Sequence, residues 1–153
     1  MFEYLTENLK EIIIEHGIVG LFIASIIGGT FIPVPLEGLI LVAVRLGFSP
    51  ASCAIATGLG STIGASLTYF LGACGNKLIK SEKLNSFSKS FKKYGFFIIF
   101  AGALTPLPFD PIALSAGILR LDYSKFFIAA LLGRIIRFAI IAYIGNEAFG
   151  LFL

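Results

Sequence analysis

The chain has 153 residues, of which 57% are hydrophobic and only 14% are charged, and its formal net charge is +3. Soluble domains carry charge on about a quarter of their residues, so this composition excludes an ordinary soluble protein and indicates a single integral membrane domain over residues 1–153. The basic balance does not indicate nucleic acid, because the lysines cluster beside apolar segments. Anionic lipid head groups and the positive-inside rule explain such lysines.

The N-terminal third begins with an amphipathic segment and continues with an interrupted apolar one. Residues 1–16 alternate apolar and charged side chains at helical spacing, which predicts a helix at the membrane interface. Residues 17–46 are almost wholly apolar, but Pro33 and Pro35 break the helix, since proline removes a backbone donor and clashes with the preceding turn. The two pieces are roughly 16–20 Å long, too short for a hydrocarbon core of about 30 Å. We therefore expect a re-entrant helical hairpin.

A long uninterrupted segment follows the first break. Ser49 and Pro50 form an N-cap and a first helical position, and the helix they open is predicted to span the membrane as far as about residue 75. Small residues, Thr68 among them, recur every four positions and allow close helix contact. The predicted helix-packing glycines of this stripe and of its counterpart in the second half are Gly60, Gly64, Gly72, Gly133 and Gly145.

The centre of the chain is basic, and after it the pattern of the first half returns. Residues 76–94 are rich in lysine, with aromatic residues at helical spacing, and predict a second interfacial helix. A short apolar piece over 95–104, a break, a return to about residue 119 and a spanning helix over 123–149 then follow. The positive-inside rule places the basic connector on the cytoplasmic side of the cell membrane.

The two halves of the chain share one sequence pattern with an offset of 73 positions. The first repeat covers about residues 17–75 and the second about 95–149. The matching residues of the breaks are Pro33 with Pro106, Pro35 with Pro108 and Glu37 with Asp110, and Pro111 extends the second break. A hairpin returns to its starting side while a spanning helix crosses, so the second hairpin must enter from the opposite face. The predicted fold is an all-α integral membrane protein: an inverted repeat of a re-entrant hairpin plus a transmembrane helix, with amphipathic interfacial helices.

Four ionisable residues lie inside apolar segments: Glu37, Asp110, Arg134 and Arg137. A charge at the bilayer centre costs about 2.5–3.5 kcal/mol on insertion scales, so we interpret them as functional; structural ion pairing is the alternative. Arg134 and Arg137 share one helix face because they are three positions apart, and guanidinium groups bind phosphate bidentately. Carboxylates can change charge by binding a proton. The set suits an anionic substrate coupled to protons.

The sequence does not predict a cofactor, a metal site or an enzyme. Cys53 and Cys74 lie in small-residue sequence, and His16 is the only histidine, whereas a zinc site needs three or four ligands. Paired acids could suggest an intramembrane aspartyl protease. The Gly-x-Gly-Asp setting of such a protease is absent, however, and Pro111 follows Asp110 directly.

Several motifs together resemble the DedA family of the VTT (SNARE-associated Golgi protein) superfamily: the proline-broken hairpin with its acid, the helix over 60–72, and Gly133-Arg134-Ile135-Ile136-Arg137-Phe138. The likeness covers roughly residues 17–149. It implies lipid translocation, either scrambling of phospholipids or recycling of polyprenyl-phosphate carriers, often dependent on proton-motive force. It also implies that Glu37 is the family's essential first-hairpin acid. Many members have an arginine in the second break, where this chain has Asp110.

We therefore expect a proton-coupled transporter or scramblase that moves a polyprenyl-phosphate carrier or a phospholipid. Arg134 and Arg137 would hold the phosphate, while Glu37 and Asp110 would relay protons or gate. The alternatives are a proton- or cation-coupled exporter of a small solute and a scaffold that only shapes the bilayer. The expected partners are protons and membrane lipids with anionic phosphate head groups, without nucleic acid; a homo-oligomer is compatible with this reading.

Overall fold

The computed structural model describes the backbone of residues 2–30, 34–75, 84–106 and 108–151, and the side chains of 7–8, 11–30, 34–75, 91–106 and 108–148. Within these ranges all regular secondary structure is helical, as predicted. The six helices are α1 (Phe2–Gly28), α2 (Leu36–Arg45), α3 (Pro50–Gly75), α4 (Leu84–Leu104), α5 (Asp110–Ile118) and α6 (Tyr123–Leu151).

In the part of the chain that the structure describes, three stretches of helix are long and apolar enough to cross a membrane: Glu11–Gly28, Pro50–Gly75 and Tyr123–Ala148. The second and third coincide with the predicted spanning helices. The first stretch, Glu11–Gly28, is longer than the expected hairpin arm, which was to begin at residue 17. The difference arises because α1 continues from the amphipathic segment into the apolar one. The lengths and compositions of these helices are those of a membrane protein.

Helix α1 bends at Gly17, at the boundary between its amphipathic and apolar parts. The backbone angles of Gly17, φ 60° and ψ −131°, are not helical, and a left-handed φ of this kind favours glycine. The ring of Phe48 lies so close that a Cβ on Gly17 would be 3.0 Å from it. The bend thus separates the two segments that the sequence pattern distinguishes.

Helix α4 joins two segments that the sequence analysis separates. It runs from Leu84 to Leu104 and therefore contains the last part of the basic connector and the apolar piece that follows; residues 76–83 lie outside the described residues. Neither proline nor a run of turn-forming residues interrupts this stretch, which explains why one helix forms. Its polar connector part exposes Lys92 and Lys93 while Phe91 is buried.

The short helices α2 and α5 end in the same hydrogen-bonding pattern, at positions 73 apart. The donor–acceptor pairs of backbone N–H and C=O groups are Leu46 to Val42, Gly47 to Val44 and Phe48 to Ala43 after α2, and Leu119 to Ser115, Arg120 to Gly117 and Leu121 to Ala116 after α5. The residue with a left-handed backbone is Gly47 in the first turn and Arg120 in the second, with φ values of 92° and 49°. Positions that are equivalent in the sequence repeat therefore also have equivalent backbone conformations in these turns.

The long helices α3 and α6 contact the first helix of their own half at equivalent glycines. Gly60 of α3 lies against the backbone of α1 at Phe22, and Gly133 of α6 lies against the backbone of α4 at Phe100. In each case a Cβ would come within 2.7 Å of a carbonyl oxygen, which is closer than packing allows. The predicted stripe position Gly64 lies against α1 as well, at the backbone of Ile26.

The same long helices also contact the short helix of the other half. Gly72 of α3 lies against the backbone of Leu114 in α5, and Gly145 of α6 lies against the side chain of Leu41 in α2. Leu41 and Leu114 are themselves 73 positions apart. Each half thus packs its spanning helix against both halves of the chain, and this arrangement brings the two proline breaks to the same place.

Among the residues whose side chains the structure describes, the apolar core consists of two clusters. One contains Leu36 and Phe138 and is built mainly from α1, α2 and the C-terminal part of α6. The other contains Ala103 and Phe109 and is built mainly from α3, α4, α5 and the N-terminal part of α6. All four of these residues also line a polar cavity, so the cavity lies at the junction of the two clusters.

Candidate substrate site between the two proline breaks

A cavity of about 510 Å³ is lined by residues of both proline-containing breaks. The first break contributes Pro35 and the second contributes Pro106 and Pro108. Pro33 lies outside the described residues. Pro111 is exposed in the first turn of α5 and does not line the cavity. Two segments separated by 73 positions in the sequence therefore form the walls of one site.

Each break begins with a threonine that closes the last turn of the preceding helix. The hydroxyl of Thr30 donates to the carbonyl of Ile27 after α1, and the hydroxyl of Thr105 donates to the carbonyl of Gly102 after α4, at 3.1 Å. These bonds satisfy carbonyl groups that a helix end leaves without a partner. The prolines that follow prevent the helix from continuing.

The two acids of the breaks occupy the first turns of the short helices. Glu37 is in the first turn of α2, and Asp110 is the first residue of α5. The N-terminus of a helix carries a partial positive charge, which stabilises a carboxylate there. Because each short helix starts directly after its break, both carboxylates are brought to the cavity, which they line.

Arg137 of α6 connects the two breaks. Its Nη2 donates to Oε1 of Glu37 in an ion pair, and its Nη1 donates to the carbonyl oxygen of Thr105 at 3.1 Å. The Thr105 carbonyl is available because Pro106 and Pro108 interrupt the helical bonding beyond it. The Arg137 side chain is 18% exposed and that of Glu37 is 41% exposed. The pair is therefore accessible from the cavity rather than sealed in the core.

Arg134 lies one turn before Arg137 and is more deeply buried, with 7% of its surface exposed. Its guanidinium carbon is 4.6 Å from the centre of the Phe109 ring, which is a cation–π contact. Asp110, which follows Phe109, also attracts this guanidinium electrostatically. Both predicted arginines thus line the cavity, but their partners differ: a carboxylate and a carbonyl for Arg137, an aromatic face for Arg134.

Asp110 has a hydrogen-bonding partner that the sequence analysis did not identify as functional. The hydroxyl of Thr68 on α3 donates to Oδ1 of Asp110 at 3.4 Å, and the Thr68 side chain is completely buried. The sequence pattern predicts Thr68 as a member of the packing stripe of α3. One feature of the sequence could have identified Thr68 as a site residue. It is a polar residue one turn after Gly64, and Gly64 corresponds to Arg137 in the repeat.

The site therefore combines two cations and two carboxylates around one cavity of head-group size. Binding sites for small molecules commonly enclose about 300–1,000 Å³. Guanidinium groups bind phosphate and carboxylate through paired hydrogen bonds, so the arrangement can hold an anion and can exchange one anionic partner for another. Among the described residues, no group of three or more His, Cys, Asp or Glu could hold a metal ion.

Comparison with known proteins places the chain in a defined group. The family model described as the VTT domain matches residues 32–147, which confirms the resemblance inferred from the sequence. An uncharacterised protein of Methanocaldococcus jannaschii is 29% identical over 140 residues, covering 88% of each chain. An uncharacterised protein of Haemophilus influenzae is 23% identical over 137 residues, covering 82% of this chain and 71% of its own. No solved structure matches the chain significantly.

Proposed function

This chain belongs to the VTT domain family of membrane proteins, a family related to membrane transport, and from that premise we propose that it moves a lipid across the bilayer. The substrate is a phospholipid or a polyprenyl-phosphate carrier, and transport is coupled to protons without a covalent reaction. One observation carries this proposal: both proline breaks, both intramembrane acids and both intramembrane arginines line a single cavity. The phosphate head group of the lipid occupies that cavity.

The lengths of α2 and α5 support insertion of the breaks as re-entrant hairpins. The helices have 10 and 9 residues, or roughly 15 Å of length, about half of the hydrocarbon core. Each short helix therefore returns to the side from which its half enters. Since α3 crosses the membrane between the two hairpins, the second hairpin enters from the opposite side and the halves form an inverted repeat. The basic connector faces the cytoplasm of a cell-membrane protein.

Apolar surface on the spanning helices supports a route for the lipid tails outside the cavity. Leu67 and Ile63 of α3 and Ile136 and Ile140 of α6 are exposed large hydrophobic residues. In a membrane these residues contact acyl chains at no cost, since lipid tails are as apolar as the side chains. Only the polar head group needs the protein, which explains how a cavity of about 510 Å³ serves a much larger molecule.

Proton coupling follows from the two partners that compete for Arg137. A phosphate that binds the Arg137 guanidinium bidentately displaces the Glu37 carboxylate from it. An unpaired charge within a membrane is costly, so we assign the coupled proton to the displaced carboxylate. Head-group binding and proton uptake at Glu37 are thereby linked. Arg134, held by the Phe109 ring, provides a second guanidinium that Glu37 does not occupy.

Transport by the purified protein in liposomes tests this proposal. Head-group-labelled lipids in the inner and outer leaflets are followed with and without a pH gradient, and lipids with phosphate monoester, phosphodiester and neutral head groups are compared. We expect translocation of a phosphate-bearing lipid at a rate that changes with the gradient. Flux of a small solute without lipid movement would instead support a proton-coupled exporter. A correctly inserted protein that moves neither lipid nor solute would support a membrane-shaping scaffold.

A further inference from the structure

A second cavity, of about 540 Å³, lies beside the start of α6, and four of its five charged lining residues are basic. We call it the basic pocket. Its charged residues come from α4, from the turn after α5 and from the first turn of α6, and they are Lys92, Lys93, Arg120, Asp122 and Lys125. It shares no lining residue with the cavity between the proline breaks. Four cations and a single carboxylate therefore surround a site distinct from the proposed transport site.

The carboxylate of the basic pocket caps a helix. Oδ1 of Asp122 accepts the backbone N–H of Ser124 at 2.9 Å and that of Lys125 at 3.4 Å. This is the arrangement of an N-cap, in which the side chain satisfies N–H groups that the first turn leaves without helical partners. The four basic side chains and this one carboxylate leave the lining with a formal excess of positive charge.

Arg120 occupies a backbone conformation that disfavours it. Its φ of 49° makes it the sole non-glycine residue with positive φ in the part of the chain that the structure describes. The equivalent turn after α2 makes the same hydrogen bonds with Gly47 at this position. The backbone conformation of the turn therefore favours glycine over arginine. Strain retained at one position in this way indicates a role for the side chain.

The first half of the chain has no counterpart of this charge. The positions 73 residues before Arg120 and Lys125 are Gly47 and Ser52. Since α3 with Ser52 and α6 with Lys125 form equivalent helix starts, the repeat fold does not require basic residues here. The basic pocket is consequently a feature that the second half has added to the shared architecture.

The surroundings of the basic pocket suit an amphiphile better than a free anion. Phe96, Ile99 and Phe126 line it together with the charged groups. Two further aromatic side chains of α4, those of Tyr94 and Phe97, are exposed, and that of Phe97 is 69% exposed. Aromatic residues beside lysines are typical of the membrane–water interface, and basic pockets at the ends of membrane helices bind anionic lipid head groups. We propose that the basic pocket holds the phosphate of an anionic phospholipid whose acyl chains lie against Phe96 and Phe97.

Native mass spectrometry of the whole protein, released from mixed micelles of phosphatidylglycerol and phosphatidylcholine, tests this assignment. The decisive variant is Arg120→Gly, which removes one charge and gives the turn the residue that its first-half equivalent has. It should therefore fold at least as well as the original chain. We expect retention of phosphatidylglycerol to exceed that of phosphatidylcholine and to fall about fivefold in Arg120→Gly, the factor for one basic residue near an anionic surface. Lys92→Gln combined with Lys93→Gln should reduce it further.

A control variant separates this pocket from other sources of anion binding. Arg45→Gln removes an exposed arginine at the end of α2 that lines neither cavity. It should keep the preference for phosphatidylglycerol. Unchanged retention in Arg120→Gly, equal retention of phosphatidylcholine, or displacement of the lipid by inorganic phosphate at matched concentration would each overturn the proposal. The last outcome would identify a site for free anions instead.

Discussion

Arg137 and Glu37 form an ion pair across 100 positions of sequence, and the same guanidinium donates to the Thr105 carbonyl. One side chain of α6 therefore holds the acid of the first break and the backbone of the second. Because Arg137 and Glu37 both line the cavity, an anion that binds Arg137 bidentately competes with these acceptors for the guanidinium. The proposed transport cycle depends on this relationship.

Replacement of Glu37 by glutamine removes the charge and keeps the size and hydrogen-bonding capacity of the side chain. We expect Glu37→Gln to fold and insert normally and to lose most of its lipid transport, because the amide cannot take up a proton when the phosphate displaces it. The measurement is translocation in liposomes as a function of pH. Transport at the original rate with an unchanged pH profile would remove Glu37 from the mechanism.

Replacement of Arg137 distinguishes its charge from its geometry. Arg137→Lys keeps a cation but cannot make two parallel hydrogen bonds to phosphate or bridge Glu37 and Thr105 together. We expect strongly reduced transport in Arg137→Lys and a complete loss in Arg137→Ala. Phosphate-lipid binding should decline in the same order. Full activity of a folded Arg137→Ala protein would contradict the phosphate-binding role.

The Thr68 hydroxyl is expected to position the Asp110 carboxylate rather than to contact substrate. Thr68→Val has nearly the same shape and removes only the donor, so we expect a loss of about 0.5–1.5 kcal/mol in stability and a severalfold slower transport. Combining Thr68→Val with Asp110→Asn tests the coupling. If the hydroxyl acts through Asp110, the double variant should be no slower than Asp110→Asn alone, and additive effects would argue against this role.

Glycine substitutions at equivalent positions should differ in cost because their neighbours differ. A Cβ on Gly72 meets the backbone of Leu114, whereas a Cβ on Gly145 meets only the side chain of Leu41. We expect Gly72→Ala to destabilise the protein by about 1–3 kcal/mol and Gly145→Ala to cost less, since a side chain can move. Gly38→Ala, with open space at this position, serves as control. Thermal unfolding in detergent measures all three, and equal midpoints would contradict the described packing.

The sequence predicts local features of this molecule well. Hydrophobic patterning identifies α3 and α6, and the prolines identify the breaks, because a missing backbone donor acts wherever the residue occurs. The sequence pattern separates the basic connector from the apolar piece that follows it, whereas the structure joins the two in α4. The change from polar to apolar composition there does not change the helical preference of the backbone.

Tertiary partners are harder to obtain from the sequence. The repeat register pairs Glu37 with Asp110, yet nothing in it indicates that Arg137 would contact Glu37 or that Thr68 would contact Asp110. Those contacts depend on how α3 and α6 cross the other half of the chain, which small residues at Gly72 and Gly145 permit but do not specify. The two acids are equivalent in sequence and acquire different partners through packing.

The central claim is that the Glu37–Arg137 pair serves transport rather than the fold alone, and a double variant with Glu37→Leu and Arg137→Leu tests it most directly. Leucine at both positions removes two charges that are costly inside a membrane and leaves neither one without its partner, so the variant should insert and unfold at or above the original temperature. Its head-group-resolved lipid transport is then measured in liposomes with and without a pH gradient. We predict a stable protein that no longer moves lipid, and transport at the original rate would contradict the account.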